Sequence, residues 1–187
     1  LNDMGGTAPG ERIVGYYPLN EGNDQNVFNN AFRVSGKYGG GLKFDGVDDY
    51  VDLGDKSEFE SEINTVCSWV NMRGAGSAQW GGDLVRKQYY DNSGFVLYTT
   101  SNQNPDAIKW RVNYDNGHTD IRKLINRSTW YHACGVYNGT HSQLYINGNL
   151  VDSKLSDYVP ENNKPVFLAG KCGYFNGIMD EIKILTK

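Results

Sequence analysis

Apolar and polar residues alternate along 129–153, TWYHACGVYNGTHSQLYINGNLVDS, with the period of two that a half-buried strand requires. Trp130, His132, Cys134 and Val136 fall on one face, and Tyr131, Ala133, Gly135 and Tyr137 on the other. Asn138-Gly139 and Asn147-Gly148 interrupt the run. Asn-Gly is a strong hairpin signal because both residues tolerate positive φ. The stretch therefore predicts a meander of three antiparallel strands. Further strands are predicted at 13–19, 65–72, 83–87, 94–100, 108–114, 166–169 and 177–185, and 42–44 and 50–53 form a strand pair around DGVDD. In 65–72, Cys67 and Trp69 share one face, and Val66 and Val70 share the other. Residues 20–41 have turn composition. No long helix, internal repeat or dividing linker is predicted.

Composition narrows the class. The 23 Gly and 13 Tyr among 187 residues suit turns and strands, and the length suits one core. Short strands at this spacing predict an all-β fold, a two-sheet antiparallel β-sandwich. Residues 1–11 read as a loose leader or linker arm, and 12–187 as the domain. A net charge of −4 argues against a nucleic-acid backbone as partner. No apolar run approaches ~18 residues, so no membrane insertion is expected.

Several phrases resemble the laminin G-like, concanavalin A-like jelly rolls. IVGYYPLNEG is similar to that family's first strand, and GKYGGGLKFDGVDDYVDLG to its Gly-Lys…Phe-Asp-Gly-X-Asp-Asp-Tyr phrase. TVCSWVNM resembles its central Trp strand, TWYHACGVYNG its Trp-aromatic-His strand, and FNGIMDEIKIL its closing strand. The resemblance implies a jelly roll outside the cell that binds and does not catalyse. In pentraxins, which share the sandwich, a cysteine at each place matching Cys67 and Cys134 forms the intrachain disulfide. The alternative is two buried thiols acting as small hydrophobes. Cys172 is left over. With no CxxC pair and three scattered histidines, no zinc site is expected.

The last strand carries an acid among isoleucines. In GIMDEIKIL, Asp180 falls on the same face as Ile178, Ile182 and Ile184, while Glu181 and Lys183 point away. A carboxylate there must be paired, hydrogen-bonded or metal-bound. The resemblance implies a structural Ca2+ at this position, with Glu21, the GKYGGG loop and Asp45 as further ligands. The alternative is an Asp that accepts backbone N–H groups and fixes a loop. Asp91-Asn92 matches a pentraxin calcium pair, but the late loop LAGKCGYFNG lacks the acids that such a site needs, so turn chemistry explains the pair.

Candidate ligand contacts are loop aromatics that the scaffold does not need: Trp80, Tyr89, Tyr90, Tyr174 and Phe175. Trp110 aligns with Val112 and Tyr114 and belongs either to the core or to a ligand-bearing face. Trp69, Trp130 and His132 sit in family phrases and are expected in the core. Glu58, Glu60 and Glu62 alternate as catalytic glycosidase acids do, but without the central Asp, and read as a solvated connection. The leading expectation is a non-catalytic carbohydrate-binding module for a glycan or polysaccharide. The alternative is an adhesive or assembly domain of a surface fibre or pilus, contacting a protein partner on a cell surface.

Overall fold

The computed structural model describes residues 12–19, 27–28, 31–59, 63–78, 81–87, 93–101, 105–114, 117–160 and 163–186. Glu21, Glu60, Glu62, Trp80, Tyr89, Tyr90, Asp91, Asn92 and the expected 1–11 arm lie outside these residues.

Fifteen strands are described: β1 (Arg12–Tyr17), β2 (Val27–Phe28), β3 (Phe32–Ser35), β4 (Gly40–Asp45), β5 (Tyr50–Asp52), β6 (Ile63–Met72), β7 (Gly82–Lys87) and β8 (Phe95–Thr100), then β9 (Ala107–Tyr114), β10 (Gly117–Leu124), β11 (Trp130–Tyr137), β12 (His141–Ile146), β13 (Asn149–Leu155), β14 (Phe167–Leu168) and β15 (Asn176–Thr186). They build two sheets in which every pairing is antiparallel. The first runs β13-β12-β11-β6-β15-β4-β3, with β1 also on β15; the second runs β10-β9-β8-β7-β14-β5-β2. Between them lies one apolar core that draws on both sheets. This is the expected sandwich.

The meander folds as its pattern predicts. β11, β12 and β13 pair in sequence, and Asn147 (φ 52) and Gly148 (φ 79) supply the positive φ of the second turn. Ala133, Gly135 and Tyr137 are buried in the core, and Trp130, His132 and Cys134 stand half-buried on the other face.

Three expectations change. First, 42–44 and 50–53 become strands but do not pair. β4 bonds to β3 and β15, whereas β5 bonds to β2 and β14, so DGVDD carries the chain from one sheet to the other. Two short strands around a turn look alike in sequence whether they pair or cross. Second, β3 arises within the 20–41 stretch of turn composition, and β10 where no strand was expected; β10, GHTDIRKL, has one core residue, Ile121.

The third change concerns Asp180. The ladder between β15 and β6 is irregular between Asp180 and Lys183, and Glu181 takes φ 50. A bulge inserts an extra residue and resets the alternation. Met179, Ile182 and Ile184 therefore face the core, while Asp180 lies opposite Trp69 on the outward side. Strict alternation across the bulge is what misplaced it.

Candidate functional site

Register in the second sheet sorts side chains into rows. Val51, Leu168, Val85, Leu97, Trp110 and Ile121 align across six strands and point inward. The neighbouring row, Asp52, Phe167, Arg86, Val96, Arg111 and Asp120, points outward. A second outward row joins Asp83, Tyr98, Lys109 and Arg122. Trp110 is thus core and not a ligand-bearing face: it is 0% exposed and stacks at 5.5 Å on Phe95. Gly135 makes room for it, since a Cβ there would lie 2.1 Å from the indole.

The outward rows are tied by charge. Asp120 accepts hydrogen bonds from Lys109 Nζ at 2.8 Å and from Arg111 Nε and Nη2 at 2.6 and 2.7 Å. Burial alone would raise the Asp120 carboxyl, but the bonds and charges of Arg111 and Lys109 outweigh it and hold the group at about 2. Both cations also sit by the Tyr98 ring, Lys109 Nζ at 5.1 Å and the Arg111 guanidinium carbon at 5.7 Å. Burial is the main cause that raises the Tyr98 phenol, and the Asp120 charge adds to it.

Asp83 and Arg86 form a second, deeper pair. Arg86 donates from Nε at 2.7 Å and Nη2 at 2.9 Å to the two oxygens of Asp83, a bidentate fit. Burial pushes the Asp83 carboxyl up, with Arg86 pulling against it. Asp83 also anchors the loop after β14. Its Oδ2 lies 3.4 Å from the Cys172 N–H, and its own N–H donates to the Gly173 carbonyl at 2.8 Å. Within this loop Ala169 (φ 61) and Lys171 (φ 95) occupy left-handed backbone space, a costly conformation for residues with a Cβ.

That loop presents Tyr174, the one expected ligand contact among the described residues that stands outside the core; Phe175, expected beside it, is instead 0% exposed and packs in the core 6.4 Å from Phe44. The Tyr174 N–H donates to Ser77 Oγ at 3.0 Å, and its carbonyl accepts from Ser77 N–H at 3.1 Å. Its ring lies 6.4 Å from that of Tyr50, which meets Phe167 edge-on at 6.2 Å. Lys171 Nζ stands 4.7 Å from the Tyr50 ring centroid. The described neighbours of Trp80, Ala78 and Gly81, bond to each other and lie beside Gly173. The outward face therefore ends in an aromatic and cationic corner that pairs flat apolar rings with fixed polar groups. Sequence reasoning missed Tyr50, Phe167, Asp83, Arg86 and Asp120. The three-residue spacing of Asp83 and Arg86 in DLVRK would put them on opposite faces of a regular strand, and only the irregularity between Asp83 and Val85 turns both outward; Asp120 was hidden because β10 itself went unread.

Two of the expected metal ligands, Asp45 and Asp180, do not come together. Asp45 pairs with Asn176, four positions before Asp180 on β15, so roughly 13 Å separates their backbones. Asp45 instead joins Asp48 and Asp49 in the DGVDD turn, where its Oδ1 accepts the Val47 N–H at 2.7 Å and its N–H donates to Asp49 Oδ2 at 2.9 Å. Asp180 is 0% exposed, and its Oδ2 accepts the N–H groups of Lys37 and Tyr38, each at 2.8 Å. Gly36 fits beneath because a Cβ there would come 2.6 Å from that oxygen. Burial raises the Asp180 carboxyl, opposed by the N–H groups of Tyr38, Glu181 and Lys37. Donors aimed at Oδ2 match the loop-fixing alternative and repel a cation there. Oδ1, buried without a hydrogen-bond partner, is the oxygen of this carboxylate that stays open to a cation.

The outward face of the first sheet also departs from expectation. Trp69 and His132 are half-buried on that face, 5.2 Å apart, and not in the core. Tyr38 meets Trp69 edge-on at 5.6 Å, and Lys37 Nζ lies 4.8 Å from its centroid. Cys67 and Cys134, directly opposed in β6 and β11, form a disulfide. Tyr16 donates to Glu181 at 2.6 Å, and burial, then this bond, raises its phenol to about 12. No described helix is long and apolar enough to cross a membrane.

Residues 45–187 match the family model described as the concanavalin A-like lectin/glucanases superfamily. Among solved structures, the chain is similar to domain 4 of AbnA, a GH43 extracellular arabinanase from Geobacillus stearothermophilus, in complex with arabinotriose. The identity is 19% and the TM-score 0.68, over 94% of this chain and 81% of that one. It is similar to the Ruminococcus gnavus IT-sialidase CBM40 bound to alpha2,3 sialyllactose, with 13% identity and TM-score 0.58, over 77% of this chain and 88% of the other. It is also similar to mouse laminin alpha1 domains LG4-5, with 14% identity and TM-score 0.57, over 83% of this chain and 42% of that one. At these identities the likeness is one of fold. No curated protein matches the chain.

Proposed function

The chain belongs to the concanavalin A-like lectin/glucanases superfamily, and from that premise we propose that it is a non-catalytic carbohydrate-binding domain working outside the cell. The observation that carries the reading is the corner of Tyr50, Tyr174 and Lys171, backed by the buried Phe167, at the end of the outward rows of the second sheet. Rings of this kind stack on the C–H faces of a pyranose, and charged groups held by bidentate partners bond its hydroxyls without reordering. The strained Ala169–Lys171 backbone, fixed by Asp83, supports the reading, as structural strain collects at ligand sites. Two fold relatives point the same way, one in complex with arabinotriose and one bound to sialyllactose. A disulfide suits an oxidising compartment.

A glycan array, run with calcium and again with EDTA, tests the proposal. Binding to one saccharide class is expected, weakened about tenfold or more by Tyr174→Ala or Tyr50→Ala and unchanged by Tyr38→Ala on the opposite face. A blank array would sink it. Loss in EDTA would add a calcium, held through Asp180 Oδ1 and Glu21. The adhesive alternative is favoured by one observation: β13, the edge strand of the first sheet, exposes Leu150 and Leu155, 51% and 79% exposed.

A further inference from the structure

Cys67 and Cys134 face each other across β6 and β11, with Cα atoms 4.1 Å apart. His132 stands two positions before Cys134, on the same side of β11. Either ring nitrogen of His132 lies 3.9 Å from Cys134 Sγ, and ligand atoms of all three residues fall within 4.8 Å of one another. A tetrahedral zinc ion with ordinary Zn–S and Zn–N bonds would space sulfur from nitrogen by roughly 3.6 Å and sulfur from sulfur by roughly 3.8 Å. We propose that two-electron reduction of the Cys67–Cys134 bridge creates a three-ligand site for a zinc(II)-class cation, made of the two thiolates and a ring nitrogen of His132.

The scaffold does not need the bridge to keep the ligands together. β6 and β11 pair at seven positions from Trp130–Asn71 to Val136–Thr65, inside the sheet and between β12 and β15. Small side-chain rotations then separate the sulfurs to a metal-binding distance. His132 and Cys134 are half-buried on the outward face, which leaves the fourth position to solvent. A dithiol reductant supplies two electrons and two protons; the S–S bond breaks, two thiols form, and the reductant closes its own disulfide. The metal then displaces both thiol protons as two metal–sulfur bonds form. His132 adds a lone pair and loses no proton, since burial and the Lys183 charge favour its neutral imidazole. In an oxidising compartment the bridge persists and the site is closed; in a reducing one it opens.

Cobalt(II) provides the test, with the chain reduced by dithiothreitol and desalted without oxygen. One cobalt per reduced chain is expected, with thiolate-to-cobalt absorption and tetrahedral visible bands that zinc abolishes, and none for the oxidised chain. His132→Ala should weaken binding about tenfold or more. Cys172→Ala should leave it unchanged, because Cys172 sits beside Asp83 on the other sheet. A reduced chain without the thiolate absorption, or one whose binding survives His132→Ala, overturns the proposal. So does loss of the β-sheet circular dichroism on reduction, because the site exists only while β6 and β11 are paired.

Discussion

The two outward faces of this sandwich are built from the same alternation and hold different chemistry. On the first sheet, rings and sulfur dominate: Trp69 lies between Tyr38 and His132, with Lys37 over its ring. On the second, charge dominates, as Asp120 gathers Lys109 and Arg111, and Asp83 grips Arg86. The difference shows in what holds each face. Stacked rings and a covalent bridge tolerate solvent and need no partner of opposite sign. Half-buried charges persist only in pairs, so each ion pair of the second face is a rigid element that can position a loop or a ligand.

Removing the bridge should have the largest effect. Cys67→Ala with Cys134→Ala opens a loop with a sequence separation of 67 and should cost about 4 kcal/mol in urea unfolding. A loss under about 1 kcal/mol would show that ring stacking alone holds the first face. Asp83→Ala comes next. It strands a guanidinium whose side chain is 14% exposed and should cost about 3 kcal/mol while also weakening glycan binding through the released loop. Intact binding at reduced stability would separate that pair from the site.

Acid sharpens the contrast further. The Asp120 carboxyl sits at about 2, below its ordinary 3.8. Its stabilisation is therefore full above about pH 4 and is lost as pH falls towards about 2, an effect of about 2 kcal/mol for a group 25% exposed. Asp120→Asn should flatten that part of the stability–pH curve, and an unchanged curve would mean that the pairs do not control the second face. The smallest effect belongs to Asp180→Ala, about 1–2 kcal/mol from two lost N–H bonds to a buried carboxylate. Equal melting shifts with and without EDTA would fix Asp180 as a loop anchor; a shift that EDTA erases would make it a calcium ligand.

Much of this could be read before any fold was seen, and the failures share a cause. Trp110 was ambiguous because a period of two names two faces without saying which is inside, and only Gly135 on the opposing sheet, with space for an indole, resolves it. Tyr174 was legible as a loop aromatic, but its partner Tyr50 lies 124 positions away and no local pattern links them.

Side-chain period, Asn-Gly turns and the family phrases determined the all-β class, the β11–β13 meander and the division of β6 and β11 into two faces. These properties are local, because each follows from strand geometry over a few residues. Tertiary structure alone decided that DGVDD crosses between sheets, that a bulge at Glu181 turns Asp180 outward, and that Asp52, Phe167, Arg86, Val96, Arg111 and Asp120 form one row. Register and bulges depend on which strands become neighbours, and that choice is made by the packing of the whole core.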